Sequence, residues 1–367
     1  MKLEFNGQPS FTLDQRPFFS IIIPCYNSGK TIGKLLDSIY AQNMNDEIEV
    51  IISDDNSTEP YFDIVERYAD EISIRLIKTD YNFAPGNTRE KGVSIAEGIW
   101  VCFADHDDEF IPETLPVVKQ SIIESGEQYY AIANFIEANP DTGEVIREMI
   151  QYRNWNHAKF YNLDNLWKAN NIHFKKDLLT HEDIYISSRI NCAMQQYGDD
   201  PLAVDVFCYI WNNRPTSISR EIYGDHSFLE VFFKDYIEST GRVYLDQVAS
   251  GKISYDYGLY SVVEVLLYCY FYTESFKFHD PKGWIRENDD YSRSYLTDIK
   301  QEFKVDNDKI MEIVSENDAA MFCGVRESAI MGCGPHVPGK TLRQWLDFLH
   351  KDIKPRITMS DAMKKVH

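Results

Sequence analysis

The sequence predicts an α/β fold: a mostly parallel central sheet in an N-terminal domain, followed by an α-helical C-terminal domain. Three observations predict it. Apolar runs alternate with amphipathic stretches along the first part of the chain. The apolar runs are near-continuous, as in parallel strands covered on both faces. From about Ser227 onward, the pattern changes to long helical stretches.

The residues before Phe18 read as a loose arm. FFSIIIP (Phe18 to Pro24) reads as a buried strand closed by a proline. In TIGKLLDSIYAQ (Thr31 to Gln42), Ile32, Leu35, Leu36 and Ile39 recur at helical spacing. EVIISDDNS is a second strand running into turn residues, and YFDIVERYAD (Tyr61 to Asp70) a second helix. ISIRLIK (Ile72 to Lys78) is a third strand, NTREKGVSIAEG (Asn87 to Gly98) a third helix and IWVCFAD (Ile99 to Asp105) a fourth strand. Further on, HSFLEVFFKDYIE, YGLYSVVEVLLYCYFYTESF and TLRQWLDFLHKD read as helices. The simplest division is a sheet domain over 1–225 and a helical domain over 226–367.

Composition bounds the function. The chain has 367 residues, 44% of them hydrophobic, enough for a large core and two domains. A net charge of −21 argues against nonspecific binding to nucleic acid or anionic lipid. It still permits an anionic small ligand, because a metal or a few local Arg and Lys residues reverse the field within one cleft. Seven scattered cysteines without a CxxC pair read as reduced thiols of a cytoplasmic protein. The N-terminus lacks the pattern of a signal peptide. The most apolar stretch, Tyr260 to Tyr272, contains Glu264 and is shorter than the roughly 20 residues of a membrane span. It reads as a buried core helix.

In parallel α/β sheets, ligands bind beyond the carboxyl ends of the strands. Those ends carry Tyr26 and Asn27, Asp54 and Asp55, and Asp105 to Asp108. Crowded carboxylates repel, and a bound cation relieves them. Mg²⁺ or Mn²⁺ takes carboxylate oxygens while keeping positions open for phosphate oxygens. An Asp-x-Asp at a strand end therefore suits a metal bridging protein and diphosphate.

SIIIPCYNSGKTIGKLLDSIYAQ, VIISDDNSTE and NFAPGNTREKGVSIAEGIWVCFADHDDEFIP together resemble the nucleotide-binding half of a family 2 glycosyltransferase with the GT-A (Rossmann-like) fold. The resemblance runs from Phe18 to Pro112 and more loosely to Arg220. It implies that Pro24, Tyr26 and Asn27 line the base pocket, with Tyr26 stacked on uracil. Asp55 would accept from the uracil N–H. Arg89 would meet base or diphosphate. The family usually has Asn after that arginine, and Glu90 stands here instead, an acid placed to engage Arg89. Asp105 would hold the ribose and join Asp107 on the metal, and His106 fills the variable position between them within the donor site.

HEDIY (His181 to Tyr185) resembles the family's Glu-Asp element. This makes Asp183 the expected general base, with Glu182 as its neighbour. Acids also favour the first turn of a helix, so both can simply open IYISSRI. RPTSISR (Arg214 to Arg220) resembles a loop closing over the diphosphate, with Arg214 or Arg220 to neutralise the leaving group and Ser217 and Ser219 as donors. Near HAKFYN, Trp155, His157 and Trp167 suit either sugar stacking or the core.

GPHVPGKT (Gly334 to Thr341) fits the phosphate-binding P-loop pattern, but Pro335 and Pro338 remove amides that would cradle phosphate. A Pro/Gly turn is the better reading, and a P-loop nucleotidase stays an alternative. Cys323, Cys333 and His336 lack zinc-finger spacing.

The resemblance thus implies a cytoplasmic, metal-dependent, inverting enzyme. It would move sugar from a UDP-sugar to a hydroxyl of a glycan or lipid-linked acceptor, in a bacterial surface polysaccharide or teichoic acid. The helical domain is a candidate for acceptor binding or homo-oligomer formation. The basic end KDIKPRITMSDAMKKVH is a candidate for peripheral contact with the inner face of the membrane. A sugar-nucleotide-binding protein without catalysis is the other alternative.

Overall fold

The computed structural model describes residues 3–80, 85–153, 155–176, 178–198, 200–214, 234–276 and 290–316. The chain divides into two compact units, Met1–Ile222 and Tyr223–His367.

The first unit opens with β1 (Phe19–Cys25), α1 (Ile32–Tyr40), β2 (Ile48–Asp54), α2 (Phe62–Glu66), β3 (Ser73–Lys78), α3 (Pro85–Val93) and β4 (Trp100–Phe103). Strands β3, β2, β1 and β4 lie side by side and parallel. This is the predicted parallel sheet, and its apolar runs are buried because helices cover both faces. Residues Ile32, Leu35, Leu36 and Ile39 form the buried face of α1. Helix α3 lies flush on β1, because a Cβ on Gly92 would come 2.5 Å from Ile22 Cγ2.

Beyond β4 the sheet becomes mixed. The chain adds β5 (Glu109–Phe110), α4 (Leu115–Ser125), β6 (Tyr130–Ala138), β7 (Val145–Met149), β8 (Lys159–Asn162), α5 (Glu182–Tyr197) and β9 (Leu202–Asn212). The order continues β4-β8-β6-β9-β5, with β7 paired to β6. The joins are antiparallel except β6 with β9.

Three local expectations are corrected. The arm is docked, since Gly7 and Ser10 donate to Leu76 and Ile74 along the outer edge of β3, each at 2.8 Å. That covers an edge that would otherwise invite pairing. The helix expected over Tyr61–Asp70 ends at Glu66, where Arg67, Tyr68 and Ala69 tighten onto carbonyls three residues back. The helix expected to reach Gly98 ends at Val93. There the buried Glu49 carboxylate captures the amides of Glu97 at 2.6 Å and Gly98 at 2.9 Å.

The second unit contains α6 (Gly241–Ala249), α7 (Tyr255–Phe276), α8 (Asp290–Phe303) and α9 (Asn307–Glu316) among its described residues. The apolar stretch Tyr260–Tyr272 falls within α7, whose Val262, Val263 and Leu266 enter a core with Tyr295, Leu296 and Ile299. No described helix is long and apolar enough to cross a membrane. The segments TLRQWLDFLHKD, GPHVPGKT and the basic end lie outside the described residues, as do Cys323, Cys333 and His336.

Candidate active site

The carboxyl ends of β1, β2 and β4 place the three polar clusters on one sheet edge. Pro24 lies one residue before the end of β1, opposite Ser53, and Tyr26 just beyond the strand is 44% exposed. Asn27 sits at φ 50°, in the left-handed region that Asn tolerates. Its Oδ1 accepts from the amides of Thr58 at 2.9 Å and Glu59 at 3.0 Å, tying the loop after β1 to the loop after β2. Asn27 therefore shapes the loop pair with its side chain. Asp54 is buried and accepts from Tyr61 Oη at 2.9 Å and the Ser57 amide at 3.1 Å. Asp55 follows, accepting from Thr79 Oγ1 at 3.1 Å.

Arg89, on α3, is 7% exposed and bridges two elements. Its Nη2 donates to Asp105 Oδ1 at 2.6 Å and its Nη1 to Glu182 Oε1 at 2.7 Å. Burial works against the guanidinium charge, but Asp105 and Glu182 outweigh it and hold Arg89 firmly protonated. The expected engagement of Arg89 by Glu90 is absent from this bridge. Glu90 points elsewhere and accepts from the Phe174 amide at 2.9 Å. Consecutive helix residues lie about 100° apart around the axis, so the two side chains diverge.

The acid turn follows β4. The Asp108 amide donates to the Asp105 carbonyl at 3.0 Å, closing the turn. Burial would raise the Asp105 carboxyl, but Arg89 overrides it and holds it below the ordinary range. The Asp107 carboxyl is raised by burial, and Asp105 adds to this against His106 and Arg214. Arg214 Nε lies 3.4 Å from Asp107 Oδ2. His106 Nδ1 lies 2.8 Å from Thr31 Oγ1 on the loop before α1. Ser217, Ser219 and Arg220 lie outside the described residues.

Asp108 was not singled out by sequence reasoning, yet it is the most buried acid of the turn, at 1% exposure. Burial, then Asp105 and Asp107, push its carboxyl well above the ordinary range. His157 stacks on Tyr209 with ring centroids 5.2 Å apart, and burial pulls its imidazole down to about 4. Asp105, Asp108 and His157 each bring one ligand-type atom within 4.8 Å of the others. The fourth acid of DHDD was the available sequence signal. His157 stood out only as an aromatic near HAKFYN, and Tyr209 and Asn212 had no signal beyond their apolar or polar surroundings.

Asp183 and Glu182 open α5, and His181 before them takes φ 59°. The pair starts a helix, and Arg89 ties Glu182 to the acid turn. Burial first, then the Glu182 charge, lift the Asp183 carboxyl to about 7. Lys159 is fully buried on β8 and donates to the carbonyls of Arg153, at 2.5 Å, and Trp155. Burial draws its ammonium down to about 7. Trp167 is core, packed on Phe103, Tyr161 and Phe174. Trp155 is half-buried against Trp211.

The donor chemistry suits a hard divalent cation. Three carboxylates share one turn, two of them raised by burial and mutual repulsion, and the nearest cations cover only part of the charge.

A parallel half-sheet with acids at its carboxyl edge, joined to an acid pair opening a helix, defines an α/β class whose ligands bind beyond that edge. Residues 20–180 match the model of Glycosyl transferase family 2. The match spans under half of the chain, so what it identifies is a family 2 domain within it. A Staphylococcus aureus poly(ribitol-phosphate) beta-N-acetylglucosaminyltransferase, TarS, is 39% identical over 99 residues, 26% of this chain and 17% of the relative. A Bacillus spizizenii poly(ribitol-phosphate) beta-glucosyltransferase is 35% identical over 99 residues, 26% of this chain and 16% of the relative. The chain thus spans under a fifth of these curated relatives' lengths. The crystal structure of S. aureus TarS 1–349 in complex with UDP covers 93% of this chain and 94% of its own. It has a TM-score of 0.60 at 20% identity, which shows a shared GT-A fold.

Proposed function

We propose that this chain is an inverting glycosyltransferase that moves sugar from a UDP-sugar to a hydroxyl of a bacterial surface glycan. The carrying observation is the Arg89 bridge, which joins the acid turn to the helix that presents Asp183. The donor site is thereby tied to Glu182, the residue next to the base. The related TarS and its solved complexes with UDP and UDP-GlcNAc support UDP-sugar as donor. The poly(ribitol-phosphate) relatives support a teichoic acid or similar polyol-rich acceptor.

In this reading Tyr26 stacks on the base, Pro24 and Asn27 shape its pocket and Asp55 accepts from it. Asp105 holds the ribose. Asp183 takes the proton of the acceptor hydroxyl, whose oxygen attacks the anomeric carbon. The bond from that carbon to the diphosphate breaks, and configuration inverts without a covalent enzyme intermediate. A carboxyl near 7 suits a base at neutral pH. Asp105 and Asp107 would hold a Mg²⁺ or Mn²⁺ ion, which would neutralise the leaving diphosphate. Arg214 stands beside Asp107 to assist, and Glu182 keeps Arg89 in place.

The reading includes a cytoplasmic location, the sheet and helical domains 1–225 and 226–367, and acceptor binding or self-association for the helical part. Incubation with a panel of UDP-sugars and a poly(ribitol phosphate) acceptor, with Mn²⁺, tests it. Transfer with inverted anomeric configuration is expected. Retention of configuration, or no transfer from any UDP-sugar, would contradict it.

A further inference from the structure

The acid turn is closed by one internal bond, from the Asp108 amide to the Asp105 carbonyl, and is held further from outside. Its two ends are gripped from β9, a strand on the other half of the sheet. The Asp105 amide donates to Tyr209 Oη at 3.0 Å. The same hydroxyl donates to Asp108 Oδ2 at 2.8 Å. The other Asp108 oxygen, Oδ1, accepts from the Asn212 amide at 2.8 Å. Asn212 Nδ2 then donates to the Asp107 carbonyl at 2.8 Å and reaches Glu109 Oε1 at 3.2 Å. Tyr209 is fully buried and cannot drift, with its ring packed edge-on against Phe110 and stacked on His157.

We infer that Tyr209 and Asn212, acting through the buried Asp108, are positioning residues that aim the Asp105 and Asp107 carboxylates into the donor site. Asp108 has both oxygens occupied by these partners, so it works as a keystone under the turn. The logic is geometric. A four-residue turn bearing three carboxylates tends to splay by repulsion. Fixing one amide at its start and one carbonyl near its end removes that freedom while leaving the Asp105 and Asp107 side chains outside the anchoring bonds. Preorganising a donor site in this way shifts donor affinity more than it shifts the chemical step.

This inference rests on the donor-site reading above, so the test carries a readout independent of nucleotide. Tyr209→Phe deletes only the shared hydroxyl, Asn212→Ala deletes the second anchor and Tyr130→Phe removes a buried hydroxyl elsewhere in the sheet. Amide hydrogen exchange is measured first. Exchange at Asp105 to Asp108 is expected to rise at least tenfold in Tyr209→Phe and to stay unchanged in Tyr130→Phe. UDP titration with Mn²⁺ follows. Tyr209→Phe and Asn212→Ala are each expected to weaken UDP at least tenfold and raise the donor KM, with kcat changed less than threefold. Unchanged exchange in Tyr209→Phe would overturn the inference, as would an equal loss of UDP affinity in Tyr130→Phe. Raised exchange together with absent UDP binding by the unaltered chain would support the anchoring and sink the donor assignment instead.

Discussion

Asp183 illustrates how one half-buried residue couples function to stability. Burial and the neighbouring Glu182 lift its carboxyl to about 7. The unfolded value is about 3.9. Between the two values the folded chain binds a proton that the unfolded chain has released. The contribution to stability is full below the unfolded value and is lost as pH rises through 7. At pH 8 the folded protein therefore holds a strained carboxylate. Asp183→Asn should raise stability at pH 8 by about 1 kcal/mol or more, read by thermal melting. The same change should lower turnover by about 10²–10⁴-fold while leaving UDP binding in place. Turnover of the unaltered chain should fall as pH drops below about 7. Glu182→Gln removes the like charge beside Asp183, so, with Asp183 as the proposed base, the acidic limb of the pH–rate profile should move to lower pH. A limb that stays put would contradict the coupling.

Helix α3 links packing to the site at the scale of elements. It carries Arg89 on one side and meets β1 through Gly92. Because the missing side chain would collide with Ile22, Gly92→Ala should push α3 off the sheet. Overpacking of this kind typically costs about 1–3 kcal/mol, measurable by urea unfolding. It should also weaken the Arg89 bridge, so turnover should fall together with stability. The order of the first seven elements was readable from the sequence because each strand is a buried apolar run and α1 has one apolar face. The ends were less readable. Glu97 and Gly98 look helical in sequence, and only the distant Glu49 carboxylate explains why they are not. Likewise, Glu90 follows Arg89 directly, yet the helix turns it toward Phe174. Asp105, Asp107 and Asp183 stood out as candidates through the family resemblance and their places beside the ends of elements. Tyr209 and Asn212 did not, since a mixed sheet brings β9 beside β5 by a pairing that no local pattern announces.

For the whole molecule, a net charge of −21 bears on both partners and stability. Like charges on a compact chain repel, and added salt screens them within a Debye length of about 8 Å at physiological ionic strength. Raising salt from low to moderate concentration should therefore raise the melting temperature, and a fall would count against surface repulsion as a destabilising influence. The same charge makes binding of a UDP-sugar depend on local compensation at the acid turn. Calorimetric titration with UDP, in Mn²⁺ and then in excess EDTA, tests the central claim most directly. Binding in Mn²⁺ that disappears in EDTA and in Asp107→Ala is the predicted result. No binding in either condition, or binding indifferent to the metal and to Asp107, would contradict the account.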